Sequence, residues 1–251
     1  MLIFNSYLCV VLLMCIAWLI AIFIKNISVI DLFWPLSIFS VGVHVVIRYE
    51  CAWYGWLMFT LAAIWAARLF FFLFLTRIFK GQRDRRYHLL AQSWRRPYWS
   101  LLCHYQLQGL LAYIVALPLL FIAQLVSLGW FFCVGIVLCA VGLGGVTLAD
   151  FQLQRFKQQS LTPICNQGLW RYSRHPNYFF EWFLWLGFAL MVQGHNTATV
   201  VAFFSPLLLL YIFLKITGPL TEAASLKRHG ARYHSYQKVT PFFLPIRSKN
   251  K

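Results

Sequence analysis

Long apolar runs alternate with short polar segments along the whole chain. The runs cover roughly 2–24, 29–47, 53–75, 105–125, 128–149, 178–193 and 198–216. A helix needs about 20 apolar residues to cross the hydrocarbon core of a bilayer. The pattern therefore predicts an all-α fold, a polytopic transmembrane helical bundle of about seven spans. The sixth run is short and is expected to be tilted or re-entrant. Pro118 and Pro206 fall inside runs, where neighbouring helices can satisfy the carbonyls that proline frees. The first run has no basic residue before it, exceeds the apolar core of a signal peptide, and is followed by Lys25 rather than a small-residue cleavage site. It is read as a span.

Composition agrees. The 251 residues are 61% hydrophobic and 11% charged, whereas soluble domains are about half apolar and about a quarter charged. The net charge of +16 would suggest nucleic acid in a soluble protein. Here the cations lie between apolar runs and report orientation instead, so no nucleic-acid partner is expected. Lys25, the cluster Arg77 to Arg96, Arg155, Lys157, Arg171, Arg174 and the cations of the tail all fall on one side of a seven-span bundle. The opposite loops, around 48–52, 126–127 and 194–197, carry only Arg48. Basic loops stay cytoplasmic, which puts the N-terminus outside and the C-terminus inside. A bacterial inner membrane is the expected location. The seven cysteines form no CxxC pair and read as small buried hydrophobes. The polar segments 77–100, 150–177 and the tail from 217 mix aromatics with charges, unlike disordered linkers, and are expected to fold together as a basic cytoplasmic cap.

Six acids stand out in so apolar a chain: Asp31, Glu50, Asp84, Asp150, Glu181 and Glu222. Each needs a partner, because an unpaired carboxylate is costly away from water. Asp31 opens the second span and suits a helix N-terminus. Arg68, inside the third span, is expected to snorkel or to pair with an acid such as Asp31. Asp150, at the end of the fifth span, suits either a structural hydrogen bond or a ligand contact.

The richest stretch is Gly168-Leu-Trp-Arg-Tyr-Ser-Arg-His-Pro-Asn-Tyr-Phe-Phe-Glu181. Pro176 belongs in the first turn of a helix, so a helix is predicted to start there. Asn177 and Glu181 then share one face. Arg171, Arg174 and His175 just before a helix N-terminus make an anion site, for phosphate or carboxylate. The plainer alternative is a basic anchor for anionic lipid. In the tail, Glu222 precedes a basic, aromatic segment in which Tyr233 and Tyr236 lie three apart. These suit an adenine and its phosphates, or else a helix lying on the membrane surface. Gly142, Gly144 and Gly145 do not complete a dinucleotide fingerprint and suit close helix packing. No HxxxH or HExxH pair occurs, so no metal site is expected.

The Gly168–Tyr178 block with Glu181, and Gly230-x-x-Tyr233-x-x-Tyr236 with Thr240 and Pro245, resemble the DUF1295 group of the steroid 5-alpha-reductase-like superfamily. Asp31-Leu-Phe-Trp34, Trp65-x-x-Arg68-Leu, Asp84-x-Arg86-Tyr87, Asp150-Phe-Gln152 and Phe156-Lys157 extend the resemblance over nearly the whole chain. That superfamily also includes sterol reductases and isoprenylcysteine carboxyl methyltransferases. The resemblance implies one membrane domain over 1–251, with N-terminal spans in 1–149 and a cofactor-binding half in 150–251. The cofactor would be NADPH in a reductase or S-adenosylmethionine in a methyltransferase, and Asn177 with Glu181 looks more like the reductases. The implied activity is reduction of a C=C bond in a lipid-soluble enone or sterol-like substrate drawn from the bilayer. Arg171, Arg174 and His175 would hold phosphates, Asn177 and Glu181 the nicotinamide end, and Tyr233 and Tyr236 the adenosine end. Glu222, Asp150 and Arg68 complete the implied cofactor set. Tyr178 is the expected proton donor, with Glu181 beside it. Phe180 stands where relatives commonly carry glycine, which bears on how closely a cofactor approaches the backbone. No match to the Gln-Glu pair that steroid 5-alpha-reductases use at the substrate carbonyl is found. A non-catalytic lipid-binding protein with a degenerate site is the remaining alternative.

Overall fold

A computed structural model describes residues 1–79, 97–125, 128–159, 162, 164–192 and 196–246. Among them nine α-helices form and no strand. The expected cap segment 80–96, with Asp84-x-Arg86-Tyr87, lies outside the described residues, as do positions 126–127 and 193–195 and the last cations of the tail. The helices are α1 (Leu2–Phe23), α2 (Val29–Arg48), α3 (Trp53–Leu73), α4 (Pro97–Val115), α5 (Trp130–Gln159), α6 (Pro176–Met191), α7 (Asn196–Tyr211), α8 (Gly218–His229) and α9 (Ala231–Val239). Short π-helical turns, Phe74–Ile78 and Ile212–Thr217, extend α3 and join α7 to α8.

The helical membrane bundle expected from the apolar runs is present, with fewer full-length spans. Among the described residues, five helices are long and apolar enough to cross a membrane: Leu2–Phe23, Val29–Arg48, Trp53–Ile78, Trp130–Gln159 and Thr197–His229. A sixth crossing is formed if α4 and the 3-10 segment Leu117–Gln124, bent by 42°, count as one broken span. The bend has a local cause, since Pro118 cannot donate to the helix ladder. The seventh candidate, α6, has 16 residues and rises about 24 Å at 1.5 Å per residue, short of the ~30 Å hydrocarbon layer.

The chain forms two compact units, Met1–Gly129 with Gly194–Phe204, and Trp130–Gln193 with Ser205–Lys251. Helix α5 therefore belongs with the C-terminal half from its first residue. In the first unit, α1 packs against α2 and α4. Val10, Met14 and Ala17 are fully buried along one face of α1, and a Cβ at Gly109 of α4 would stand 2.9 Å from Met14. Tyr113 donates to the Ile3 carbonyl at 2.7 Å, and Tyr105 to the Ile27 carbonyl at 2.8 Å. One phenol thus satisfies a carbonyl in the first turn of α1, and the other a carbonyl of the loop between α1 and α2. Asp31 is ion-paired with Arg77, which the π turn after α3 presents. The Arg68 guanidinium lies over the Phe72 ring at 5.3 Å.

In the second unit α5 and α6 run antiparallel, since Gly135 faces Gly187, Gly142 faces Leu184 and Gly145 faces Phe180. A Cβ on Gly142 would stand 2.7 Å from the Leu184 backbone nitrogen, so only glycine allows the backbones this close. Two of the three glycines assigned to packing serve that purpose. The third, Gly144, faces open space. Leu184, Trp185 and Phe188 are buried on α6, and the Cys139 thiol of α5 donates to the Leu184 carbonyl.

Candidate functional site

The site is built where the loop after α5 turns into α6. Gly168 opens this turn with φ +55, a left-handed conformation that favours glycine. It lies against the Gln152 amide. The Leu169 N–H donates to Gln152 Oε1 at 2.9 Å, and Trp170 Nε1 to the Ala149 carbonyl at 2.9 Å. The turn is thereby tied to α5 beside the buried Asp150. Ser173, fully buried, donates to the Phe243 carbonyl at 2.8 Å and accepts from the His175 N–H at 3.1 Å. Pro176 then occupies the first turn of α6, as its fixed φ and missing N–H require.

The tail folds back onto this turn, so within the second unit the loop before α6 and the tail form one structure, as expected of the cap. Arg174 is the tie. Its Nε and Nη2 donate to the two carboxylate oxygens of Glu222 at 2.5 and 3.2 Å. Its Nη1 donates to the Gln237 and Thr240 carbonyls at 3.1 and 2.6 Å. Four of its five N–H groups are so engaged, and its backbone N–H reaches the Pro241 carbonyl. Glu222 also accepts from Gln237 Nε2 at 2.8 Å and contacts His175 Nε2 at 3.3 Å. Tyr236 donates to the Trp170 carbonyl, and Tyr233 packs edge-on against its ring. Burial pushes the Tyr233 phenol up to about 12 and raises Tyr236 as well. Both are neutral donors at physiological pH.

An aromatic column continues from the tie. Phe242 packs on His175, His175 stacks on Tyr178 with centroids 4.9 Å apart, and Tyr178 stacks on Phe213 at 4.7 Å. The Tyr178 hydroxyl lies 3.3 Å from Thr221 Oγ1. Because Thr221 gives its single proton to the Thr217 carbonyl, Tyr178 is the donor of that pair. Asn177 follows the cap, and its Oδ1 is buried with no hydrogen-bond partner among the described residues. One turn on, Glu181 accepts from Trp185 Nε1 at 3.3 Å. Phe180 lays its ring on Gly145. The Phe180 ring is accommodated in the α5–α6 seam, where the facing residue is glycine.

Of the residues singled out in the sequence, Arg174, His175, Tyr178, Glu222, Tyr233 and Tyr236 are brought together, with Asn177 and Glu181 following along α6. Arg171 is exposed at the end of the 3-10 turn Gly168–Arg171. Asp150 is buried on α5, and Arg68 belongs to the first unit. The sequence reading passed over Ser173, Phe213, Thr221, Gln237 and Phe242. Ser173 and Thr221 adjoin residues that were singled out, which was a usable signal; Phe213 and Phe242 carried none among 24 phenylalanines.

Comparison with known proteins adds one match. The model of a family described as a protein of unknown function, DUF1295, matches residues 17–240. No curated protein and no solved structure matches. The matched region runs from within α1 to just past α9 and includes the site residues up to Thr240, so the chain belongs to the DUF1295 family.

Proposed function

We propose that this protein is a membrane reductase that uses NADPH to reduce the C=C bond of a lipid-soluble enone or sterol-like substrate. The observation that carries the reading is the orphaned Asn177 Oδ1. A buried carbonyl without a donor is costly, and the carboxamide N–H2 of a nicotinamide is a donor of the kind it lacks. Glu181, one turn further along α6, offers a carboxylate to the same end of the cofactor. The donor set thus fits a nicotinamide. When bound, NADPH supplies the hydride.

The second hydrogen arrives as a proton, and Tyr178 is the candidate source. Stacking between His175 and Phe213 fixes its ring, and rotation of its hydroxyl away from Thr221 would aim the proton at a substrate carbon. Arg174, His175, Glu222 and Tyr236 act in this reading as the wall that holds the start of α6 against the tail, because their polar atoms are already engaged within the protein. Arg171, exposed at the rim, is the cation left to meet a phosphate. With α6 taken as a seventh, short crossing, the basic segments face the cytoplasm and the N-terminus lies outside. Reporter fusions after residues 165 and 245 should report cytoplasm, and one near 195 should report the outside. Termini on the same side would overturn that orientation.

Binding to the purified protein in detergent tests the cofactor. NADPH, followed by its nicotinamide fluorescence, is expected to bind, and S-adenosylmethionine is expected not to. Binding of S-adenosylmethionine alone would make the protein a methyltransferase. Binding of neither would favour a non-catalytic lipid-binding protein. Asn177→Leu is expected to weaken NADPH about tenfold, the size of one hydrogen bond near 1.4 kcal/mol. Its melting temperature should hold or rise, since the substitution removes a buried polar atom that has no partner.

A further inference from the structure

We infer that the C-terminal end of α5 carries a site for the headgroup of an anionic phospholipid. The inference is independent of the reductase reading. Val137, Val141, Leu148 and Phe151 are exposed and recur at helical spacing, so they form one apolar stripe along α5. Trp130 is exposed at the start of the same helix, the position of an interfacial aromatic anchor. From Trp130 to Phe151 the helix rises about 32 Å, close to the ~30 Å of the hydrocarbon layer. Arg155, one turn beyond Phe151, then stands about 6 Å past the hydrocarbon edge. That is the depth of lipid headgroups, which add about 5–8 Å on each side.

At that depth the structure has a groove of about 600 Å³, open on one side. Leu148 and Phe151 form its apolar lip, and Gln152, Arg155, Gln159 and Gln167 contribute its polar wall. Arg155 engages Gln159 Oε1 through Nε at 3.1 Å. Its terminal N–H groups have no protein partner among the described residues. No acid lines the groove among the described residues. A cation with carboxamide donors suits a phosphodiester. A choline-type cation would find no carboxylate there. The apolar stripe that ends at the lip supplies a track for an acyl chain. Headgroup and chain are thus accommodated by one continuous face of α5.

The test uses the full chain in nanodiscs of phosphatidylcholine with increasing phosphatidylglycerol. Thermal unfolding and lipid retention in native mass spectrometry are followed. Phosphatidylglycerol is expected to be retained selectively and to raise the melting temperature. Arg155→Gln should weaken that preference about tenfold. Arg232→Gln, which changes an exposed cation of α9, should leave it intact. Both are surface substitutions that the fold tolerates. Equal loss in both variants, or none in Arg155→Gln, would reduce the effect to diffuse surface charge and overturn the site. If inorganic phosphate in pure phosphatidylcholine discs reproduced the full shift, the groove would be a soluble-anion site and the lipid assignment would fail.

Discussion

Glu222→Ala is expected to destabilise the protein by about 3 kcal/mol, because it leaves the Arg174 charge without its carboxylate. Removing one partner of a buried pair typically costs about 3–5 kcal/mol. The two side chains here are 11% and 13% exposed, which favours the lower end. The loss is larger than for a surface pair, since Glu222 also receives Gln237 and His175. Its four contacts join the start of α6, α8 and α9. Glu222→Gln keeps an acceptor while removing the charge, and should cost roughly half as much. The structural consequence is local as well as global. With the tie gone, α8 and α9 should detach from the turn before α6 while the apolar helices stay in the membrane. Limited proteolysis should therefore cut the tail of the variant at protease concentrations that leave the wild type whole. A variant that melts with the wild type and keeps its tail protected would show that other contacts hold the tail.

The second large effect is expected on binding. Glu181→Gln should weaken NADPH on the order of 100-fold, about 2.7 kcal/mol, the range of a hydrogen bond to a charged group. Gln is nearly isosteric, and its amide oxygen can still accept from Trp185 Nε1, so the helix should keep its packing. The melting temperature without NADPH should stay close to that of the wild type, and the rise caused by NADPH should shrink. The opposite pattern, a large drop without NADPH and an undiminished NADPH-induced rise, would assign Glu181 to the fold and sink its cofactor role.

The two variants separate kinds of information that reach the structure by different routes. Length and periodicity were legible residue by residue. The apolar runs 2–24, 29–47 and 53–75 became α1, α2 and α3 within a few residues. A proline can begin a helix but hardly continue one, so Pro176 marked the start of α6. The small residues at Gly142 and Gly145 marked a close helix contact before its partner was known. These features follow from local sterics and from the thickness of a bilayer, which any window of sequence samples.

The number of full crossings was less legible, because hydropathy does not report a bend. The fourth run begins eight residues earlier than its apolar part suggests, at Pro97, and breaks before Pro118. The choice of partners was not legible at all. Asp31 meets Arg77, 46 positions away, and Arg174 meets Glu222, 48 positions away. Charge alone marked each of these residues as needing a counterpart and left several candidates for each. The place of Arg174 before a helix N-terminus points to a phosphate ligand, whereas the fold turns its guanidinium toward the tail. The Tyr178 ring stacks on Phe213, and Tyr236 reaches the Trp170 carbonyl, through contacts with no sequence spacing to announce them. The sequence by itself determined that the chain is a helical membrane protein, which segments are helical, and which polar residues are too costly to leave unpaired. Only the tertiary structure decided who pairs with whom, and that Asn177 Oδ1 is among the buried polar atoms left over in the described residues. Pairing depends on where distant elements meet, and that is settled by the packing of the whole unit.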